Sequence, residues 1–174
     1  MPHNALYSKE EIEKQVDVLA RRIAKDVGQS PTILVGLLNG SVVFLSDLMR
    51  RLYLYGVAPE VDFMVVSSYK DGHSSNGTID IIQDIRSSIE GKTVIVIDDI
   101  ADTGLTLLEV KKALAKRNPA KLLTCVLLDK PSRRKFDVKP DYTAFTIDNV
   151  FVVGYGLDSA SRFRYLPYIA VLSE

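Results

Sequence analysis

The segment "VIVIDDIADTGLTL", residues 94–107, joins an apolar run to three aspartates and a small polar turn. Its first four residues are all β-branched and apolar, which is typical of a strand buried on both faces of a parallel sheet. Asp98, Asp99 and Asp102 follow this strand, and Gly104 lies in the turn. Because ligands of open α/β sheets bind at the carboxyl ends of the strands, the segment predicts a fold class and the place of a site.

The rest of the chain repeats this alternation of strands and helices. Ser8 and Glu11 have the spacing of a capping box, and the amphipathic helix that follows is expected to end near Gly28. Further strands are predicted at 31–38, 61–69, 79–82, 93–97 and 122–129, and further helices at 41–52 and 103–117. The alternation predicts an α/β fold in which a parallel twisted sheet is flanked by helices.

The last third of the chain has a different character. Residues 140–158 and 165–172 are strand-like without a long helix between them, so we expect a small hood formed by terminal segments, or a sheet edge. "KDGHSSNG", residues 70–77, has no apolar side chain and two glycines, which predicts a mobile lid. We expect a single domain, 1–174, with the lid near 67–78.

Composition restricts the class of protein. The 174 residues include 22 basic and 22 acidic side chains and are 47% hydrophobic, which is typical of a soluble globular protein without a polyanionic partner. The single Cys125 lies in an apolar run and predicts a buried strand residue, while His3 and His73 lack zinc-site spacing. No run approaches the ~18 apolar residues of a membrane span, and no signal peptide is evident, so we expect a cytoplasmic protein.

The turn after the acidic strand has the features of a phosphate site. A helix N-terminus presents unpaired amides, Gly104 permits close approach of the backbone, and Thr103 and Thr106 add hydroxyl donors. The neighbouring carboxylates would repel a phosphate, so we expect them to bind sugar hydroxyls or a divalent cation. Together these features predict a phosphorylated sugar as the ligand.

A simpler interpretation of the three acids remains open at this point. Asp102 is a favoured residue type for capping a helix, and Asp98 and Asp99 can be solvated loop acids. The Walker A pattern and the Gly-x-Gly-x-x-Gly dinucleotide fingerprint are both missing from the sequence.

The acidic segment resembles the phosphoribosyl-pyrophosphate-binding motif of the type I phosphoribosyltransferases. Asp102 is the residue that 6-oxopurine enzymes of that superfamily carry in this motif. From about Tyr7 onward, four further segments resemble the hypoxanthine-guanine phosphoribosyltransferase family in the same order: "VGLLNGSVVFLSDLMR" (35–50), "SSY" (67–69), "LLDKP" (127–131) and "FVVGYGLDSASRFRYLP" (151–167).

The resemblance implies transfer of a phosphoribosyl group from phosphoribosyl pyrophosphate to N9 of hypoxanthine or guanine, giving IMP or GMP and pyrophosphate with Mg²⁺ as cofactor. Asp98 and Asp99 would bind the ribose hydroxyls and Mg²⁺, and Asp158 a second Mg²⁺. The 5′-phosphate would be held by Thr103, Gly104, Leu105 and Thr106. The pyrophosphate and lid contacts would come from Leu38, Asn39, Gly40, Arg164, Ser68 and Tyr69, the Leu38–Asn39 peptide being one that the family can hold in the cis form.

The resemblance also implies the contacts to the purine. Asp102 would face N7 as general base or acid, and Lys130 would donate to the 6-oxo group. Phe151 would stack on the ring, Val152 would meet its edge through the backbone, and Leu157 would line the pocket. On composition alone, a strand-end lysine is usually just solvated and "FVV" is ordinary strand core. A surface ion pair would explain Asp158 or Arg164 equally well.

Some residues depart from the family pattern. Asp98 stands where this family usually has glutamate, and Asp–Asp also occurs in xanthine-preferring relatives, so a xanthine-preferring transferase remains an alternative. Asn39 and Leu105 stand where basic or polar residues often occur. A phosphoribosyl-pyrophosphate-sensing regulator that binds nucleic acid is the other alternative, but "KPSRRK" (130–135), the densest basic run, is more typical of a solvated loop. Family members commonly form dimers or tetramers, so we expect a homodimer or homotetramer.

Overall fold

A central mixed sheet organises the chain in the computed structural model, which describes residues 5–68 and 79–172. In chain order the elements are β1 (Ala5–Tyr7), α1 (Lys9–Val27), β2 (Thr32–Leu38), α2 (Val42–Tyr53), β3 (Glu60–Ser68), β4 (Ile79–Gln83), β5 (Thr93–Ala101), α3 (Leu105–Ala115), β6 (Lys121–Asp129), a short 3₁₀ helix (Pro131–Arg133), β7 (Tyr142–Thr146), β8 (Val152–Val153) and β9 (Ile169–Val171). The α/β class predicted from the sequence is confirmed.

Six strands form the main sheet in the order β4-β3-β2-β5-β6-β7. All neighbouring pairs are parallel except β3 and β4, so the predicted short strand after the lid region is an antiparallel edge strand. The acidic segment lies on β5, between β2 and β6. Its register with β6 pairs Ala101 with Asp129, so the residues that follow both strands emerge next to each other.

Both faces of the sheet are buried, which explains why the strands are apolar throughout. Ile95 and Ile97 of β5 pack in one cluster with α1 and α2, whereas Val94 and Val96 pack in another with α3. The predicted capping box of α1 is present, since Ser8 and Glu11 exchange hydrogen bonds. The apolar face of that helix is fully buried and consists of Ile12, Val16, Leu19, Ala20, Ile23 and Val27.

The hood predicted from the terminal segments is a three-stranded antiparallel sheet in the order β1-β9-β8. Residues 142–146, which belonged to the predicted hood or sheet edge, form β7 and extend the main sheet in parallel with β6. The strand-like C-terminal part therefore divides between two sheets.

The boundaries of β5 and α3 differ from the sequence prediction by two residues or more. β5 continues to Ala101, so Asp98 and Asp99 lie within the strand rather than after it. α3 begins at Leu105 because Gly104 adopts a left-handed backbone (φ 89°), and it ends at Ala115.

Cys125 is buried as predicted. In the described ranges, no helix is long and apolar enough to cross a membrane.

The predicted lid at 70–77 lies outside the described residues, and so do His3 and His73. The one-domain organisation of 1–174 stays a prediction.

Candidate active site

Two adjacent carboxylates lie at the end of β5, of which Asp98 is buried and Asp99 is partly buried. The side chains of Asp98 and Asp99 adjoin each other, and the Asp99 amide donates to Oδ1 of Asp98 at 3.0 Å. Burial raises the pKa of Asp98 well above its ordinary value, and repulsion from Asp99 adds to this rise. Burial also raises the pKa of Asp99, although Arg164 opposes that rise. Because both acids lie within β5, with Asp98 buried and Asp99 partly buried, the interpretation that they are solvated loop residues is wrong.

A glycine from another loop packs against this pair. A Cβ on Gly40 would overlap the carboxylate of Asp99, and a Cβ on Gly156 would overlap the carbonyl oxygen of Gly40. The β2–α2 loop therefore packs closely against the Asp99 side chain on β5 and against the backbone of the segment after β8, and neither contact leaves room for a Cβ. The Leu38–Asn39 peptide at the start of the first loop is cis.

The turn between β5 and α3 leaves the start of the helix open. Gly104 is the N-cap residue, and no side chain caps α3. The Leu105 amide reaches Oγ1 of Thr103 only at 3.4 Å, which is a long contact. Thr106 follows Leu105 in the first turn of α3. Because Asp102 does not cap α3, the capping interpretation of this acid is wrong.

Asp102 pairs with a residue that follows β6. Nε of Arg133 donates to Oδ1 of Asp102 at 3.1 Å, and both side chains are partly exposed. The sequence analysis assigned no site role to Arg133, which lies within the basic run 130–135. Most of this run is exposed, as the sequence predicted, and Arg133 in addition contacts the acid of the turn.

Arg134 holds the same turn through the backbone. Its guanidinium pairs with the carboxylate of Asp129 and also donates to the carbonyl of Asp102 at 2.7 Å. Its side chain passes beside Gly104, where an added Cβ would stand 2.9 Å from Cδ of Arg134. The amides of Lys135 and Phe136 donate to the carbonyl of Thr103 at 3.0 and 3.1 Å. The loop after β6 is thus a support for the turn.

Lys130 is buried at the carboxyl end of β6, with 7% of its surface exposed. Its amide donates to the carbonyl of Ala101 at 2.9 Å, and its ammonium donates to the carbonyl of Val150 at 2.6 Å. Burial lowers the pKa of Lys130, Asp102 acts against this, and Arg133 lowers the pKa further. A lysine held in this way is not the solvated strand-end residue that composition alone would suggest.

The segment around β8 places an exposed ring beside buried aliphatic residues. Phe151 is 55% exposed, whereas Val152 and Leu157 are each 5% exposed. β8 is the outer strand of the hood and pairs with β9 along one edge. Its other backbone edge does not pair within that sheet. Among the three, only Phe151 departs from ordinary strand core, because a large apolar side chain is usually buried.

Asp158 and Arg164 form an ion pair with each other. Nη2 of Arg164 lies 2.7 Å from Oδ1 of Asp158, and Nη1 donates to the carbonyl of Gly156 at 2.6 Å. The second oxygen of Asp158 accepts from the Ser161 amide at 2.7 Å. The alternative of an ion pair is therefore realised, and a metal ligand role for Asp158 would require it to share these oxygens.

The donor set at the end of β5 suits a divalent cation that also binds a substrate. Across residues 5–68 and 79–172, no three His, Cys, Asp or Glu side chains are grouped to hold a metal. Mg²⁺ is commonly held by one or two carboxylates together with phosphate oxygens and water. The pair Asp98 and Asp99 fits that role, because a cation would offset the cost of holding two adjacent acids of which one is buried and the other partly buried.

Two of the predicted contacts are not described. The side chain of Ser68 and the whole of Tyr69 lie outside the described residues. Three residues were missed by the sequence analysis, namely Arg133, Arg134 and Gly156. Two arginines closely following a strand-end lysine are a signal that could have pointed to this loop. Nothing local distinguishes Gly156 from a turn glycine.

The comparisons with known proteins agree with this architecture. The model of the phosphoribosyl transferase domain matches residues 3–160. The chain is 44% identical to hypoxanthine-guanine phosphoribosyltransferase of Dictyostelium discoideum, over 100% of this chain and 97% of that protein. A solved hypoxanthine-guanine phosphoribosyltransferase of Bacillus anthracis superposes with a TM-score of 0.94 at 38% identity, covering 99% of this chain and 100% of that chain.

A second solved structure is similar over the same length. Hypoxanthine phosphoribosyl transferase of Trypanosoma cruzi, whose C-terminal region was studied for its role in oligomeric state and activity, has a TM-score of 0.94 at 38% identity and covers 99% of this chain and 92% of that chain. Since the family model and a full-length relative both match, the chain is a phosphoribosyltransferase enzyme and belongs to the hypoxanthine-guanine phosphoribosyltransferase family.

Proposed function

We propose that this enzyme transfers the 5-phosphoribosyl group from phosphoribosyl pyrophosphate to N9 of hypoxanthine or guanine, giving IMP or GMP. N9 forms a bond to C1′ of the ribose while the bond from C1′ to the pyrophosphate oxygen breaks. The bonding pair leaves with pyrophosphate, and the proton on N7 of the purine passes to Asp102. Breaking the C1′ bond leaves positive charge on the ribose, so carboxylates near the sugar favour the transition state.

The observation that carries this proposal is the pairing of β5 with β6. Ala101 and Asp129 are partners in the register, so Asp102 and Lys130 follow them at neighbouring strand ends. One position supplies a carboxylate for a ring nitrogen, and the other a buried ammonium for an oxo group. Adenine has an amino donor in place of that oxo group, so an ammonium donor favours 6-oxopurines.

Phe151, Val152 and Leu157 complete the proposed purine pocket. The ring of Phe151 is exposed enough to stack on a base, and the free backbone edge of Val152 suits the hydrogen-bonding edge of a purine. Val150 fixes the ammonium of Lys130 through its carbonyl. The hood and the main sheet therefore both contribute to base recognition.

The phosphoribosyl end of the substrate lies against β5 and α3. Thr103, Gly104, Leu105 and Thr106 hold the 5′-phosphate, because the uncapped start of α3 presents amides to an anion. Asp98 and Asp99 accept hydrogen bonds from the ribose hydroxyls. The buried position of Asp98 and the partly buried position of Asp99 limit the contact of these hydrogen bonds with bulk water, and hydrogen bonds are stronger away from water.

Asp98 and Asp99 would also hold Mg²⁺, and Asp158 would hold a second Mg²⁺ ion. Bound Mg²⁺ supplies positive charge to the pyrophosphate leaving group. The cis Leu38–Asn39 peptide, Gly40 and Arg164 contact the pyrophosphate, and Ser68 and Tyr69 of the lid exclude water from the reacting ribose. The chain acts as one domain, with the lid near 67–78.

Two further features belong to the proposal. The enzyme forms a homodimer or homotetramer; for the Trypanosoma cruzi relative, the role of the C-terminal region in the oligomeric state was studied. A monomer in sedimentation at working concentration would contradict this. The cytoplasmic location expected from the sequence stays a prediction.

The test is an assay of the purified protein with phosphoribosyl pyrophosphate, Mg²⁺ and each purine in turn. We expect turnover of hypoxanthine and guanine, and no turnover of adenine. Turnover of adenine alone would refute the assignment, and a strong preference for xanthine would support the alternative that Asp98 raises. Binding of phosphoribosyl pyrophosphate without turnover of any purine would instead favour a regulator.

A further inference from the structure

Arg133 contacts the carboxylate that the proposed reaction uses as its base. Nε of Arg133 donates to Oδ1 of Asp102 at 3.1 Å, and the Arg133 amide donates to the carbonyl of Lys130 at 3.0 Å. Lys130 and Arg133 both lie in the loop that starts at the end of β6, in which Pro131–Arg133 forms a 3₁₀ helix. This loop therefore carries both the proposed oxo-group donor and the partner of the proposed base.

Fold stability does not account for this contact. The side chains of Arg133 and Asp102 are 45% and 40% exposed, and ion pairs at this exposure contribute little to folding. The adjacent Arg134 differs, because its guanidinium is largely buried and binds both Asp129 and the backbone of Asp102. Arg134 supports the backbone of the turn, whereas Arg133 acts on the Asp102 carboxylate itself.

The three charges in this region also interact with one another. Burial is the main cause that lowers the pKa of Lys130. Asp102 acts to raise this pKa, and Arg133 acts to lower it. Arg133 thus belongs to the same electrostatic group as the two proposed purine contacts. The guanidinium occupies one oxygen of Asp102 and leaves Oδ2 for a ligand.

We propose that Arg133 is a positioning residue, which orients the carboxylate of Asp102 so that Oδ2 receives the N7 proton of the purine. A carboxylate that turns freely must be ordered when the purine binds, and a partner that orders it in advance lowers that cost in the transition state. This inference rests on the proposed role of Asp102 in the transfer reaction.

The experiment is a double-mutant cycle in steady-state kinetics with hypoxanthine and saturating phosphoribosyl pyrophosphate. The variants are Arg133→Gln, Asp102→Asn and both together. Lys135→Gln is the matched control, because it removes the same charge from an exposed side chain of the same loop.

Arg133→Gln should lower kcat on the order of tenfold, the usual scale of a hydrogen bond to a charged group. KM for phosphoribosyl pyrophosphate and the melting temperature should stay close to those of the wild type. In the Asp102→Asn background, Arg133→Gln should change kcat by less than about twofold, because the carboxylate through which it acts is gone. Lys135→Gln should behave as the wild type.

The failure of this inference is distinct from the failure of the proposed function. Normal kcat for Arg133→Gln beside a slow Asp102→Asn would overturn the positioning role alone. An equal loss in both backgrounds would also overturn it, because the effect would then not pass through Asp102. Wild-type kcat for Asp102→Asn would overturn the proposed base and this inference with it.

Discussion

Gly40 and Asp99 are packed so closely that the carboxylate of Asp99 occupies the space where a side chain of residue 40 would begin. Gly40 lies in the β2–α2 connection, whereas Asp99 lies near the end of β5. A glycine at position 40 is therefore required for the position of Asp99, one of the two adjacent acids. A Cβ here forces either the acid or the loop to move.

We expect Gly40→Ala to lower kcat/KM for phosphoribosyl pyrophosphate about 10²-fold, the scale of a displacement of about 1 Å at a reacting group. Gly91→Ala is the control, because nothing lies within 4 Å of its added Cβ although φ is 70°. The control should lose about 1–2 kcal/mol of stability and keep its activity. Normal kinetics for Gly40→Ala would contradict the predicted role of this contact.

Asp102→Asn should slow the transfer by about 10²-fold or more, because an amide cannot accept the N7 proton. The measurement is kcat with hypoxanthine under saturating conditions. Asp137→Asn, which changes an exposed acid in the loop after β6, should leave kcat unchanged. A rate for Asp102→Asn that matches this control would exclude Asp102 as the general base.

Lys130→Met removes the ammonium that donates to the Val150 carbonyl at 2.6 Å. We expect kcat/KM for hypoxanthine to fall about 10- to 100-fold, the range for hydrogen bonds to charged groups. KM for phosphoribosyl pyrophosphate should change little, since its proposed contacts lie elsewhere. Lys135→Met tests the loss of an exposed lysine in the same loop, and equal effects of the two variants would argue against base recognition by Lys130.

Removal of Mg²⁺ with a chelator should abolish turnover and leave the melting temperature of the free enzyme unchanged. The reason is that, among the residues described, no protein-only metal cluster exists whose loss could destabilise the fold. Activity should return when Mg²⁺ is added back. A large fall in melting temperature on chelation would instead indicate a structural metal.

The stability of the enzyme should fall at low pH partly because of Asp62 on β3. Burial acts to raise the pKa of Asp62, but hydrogen bonds from the amides of Ser87, Phe63 and Arg86, each at 2.8 Å, outweigh burial and lower the pKa. A lowered folded-state pKa contributes stability above the unfolded value of about 3.9, and this is lost as pH falls through the folded-state pKa.

The urea midpoint of Asp62→Asn should therefore fall less than that of the wild type between about pH 5 and pH 2. Asp80→Asn, at an exposed position of the neighbouring β4, is the comparison and should follow the wild type. Parallel pH profiles for all three proteins would show that Asp62 does not contribute to the acid sensitivity.

Much of the fold could be predicted because its signals are local. The capping box at Ser8 and Glu11 lies within one turn of helix, the apolar face of α1 repeats from each turn to the next, and the buried strands are continuous apolar runs. The end of β5 was harder to predict, since acids seldom occupy a central strand, and here Asp98 and Asp99 do so next to each other. The division of the C-terminal strands between two sheets depended on pairing partners far away in the chain.

The candidate site shows the same boundary between local and distant information. Short motifs, together with the family resemblance, predicted which residues would carry the chemistry, namely the acids of 98–102, the phosphate turn and Lys130. Their individual roles stay predictions. Only the tertiary structure decided that Asp102 meets Arg133 and that Asp99 requires a glycine at position 40. The physical reason is that such contacts arise from strand register and loop packing, which no local sequence pattern encodes.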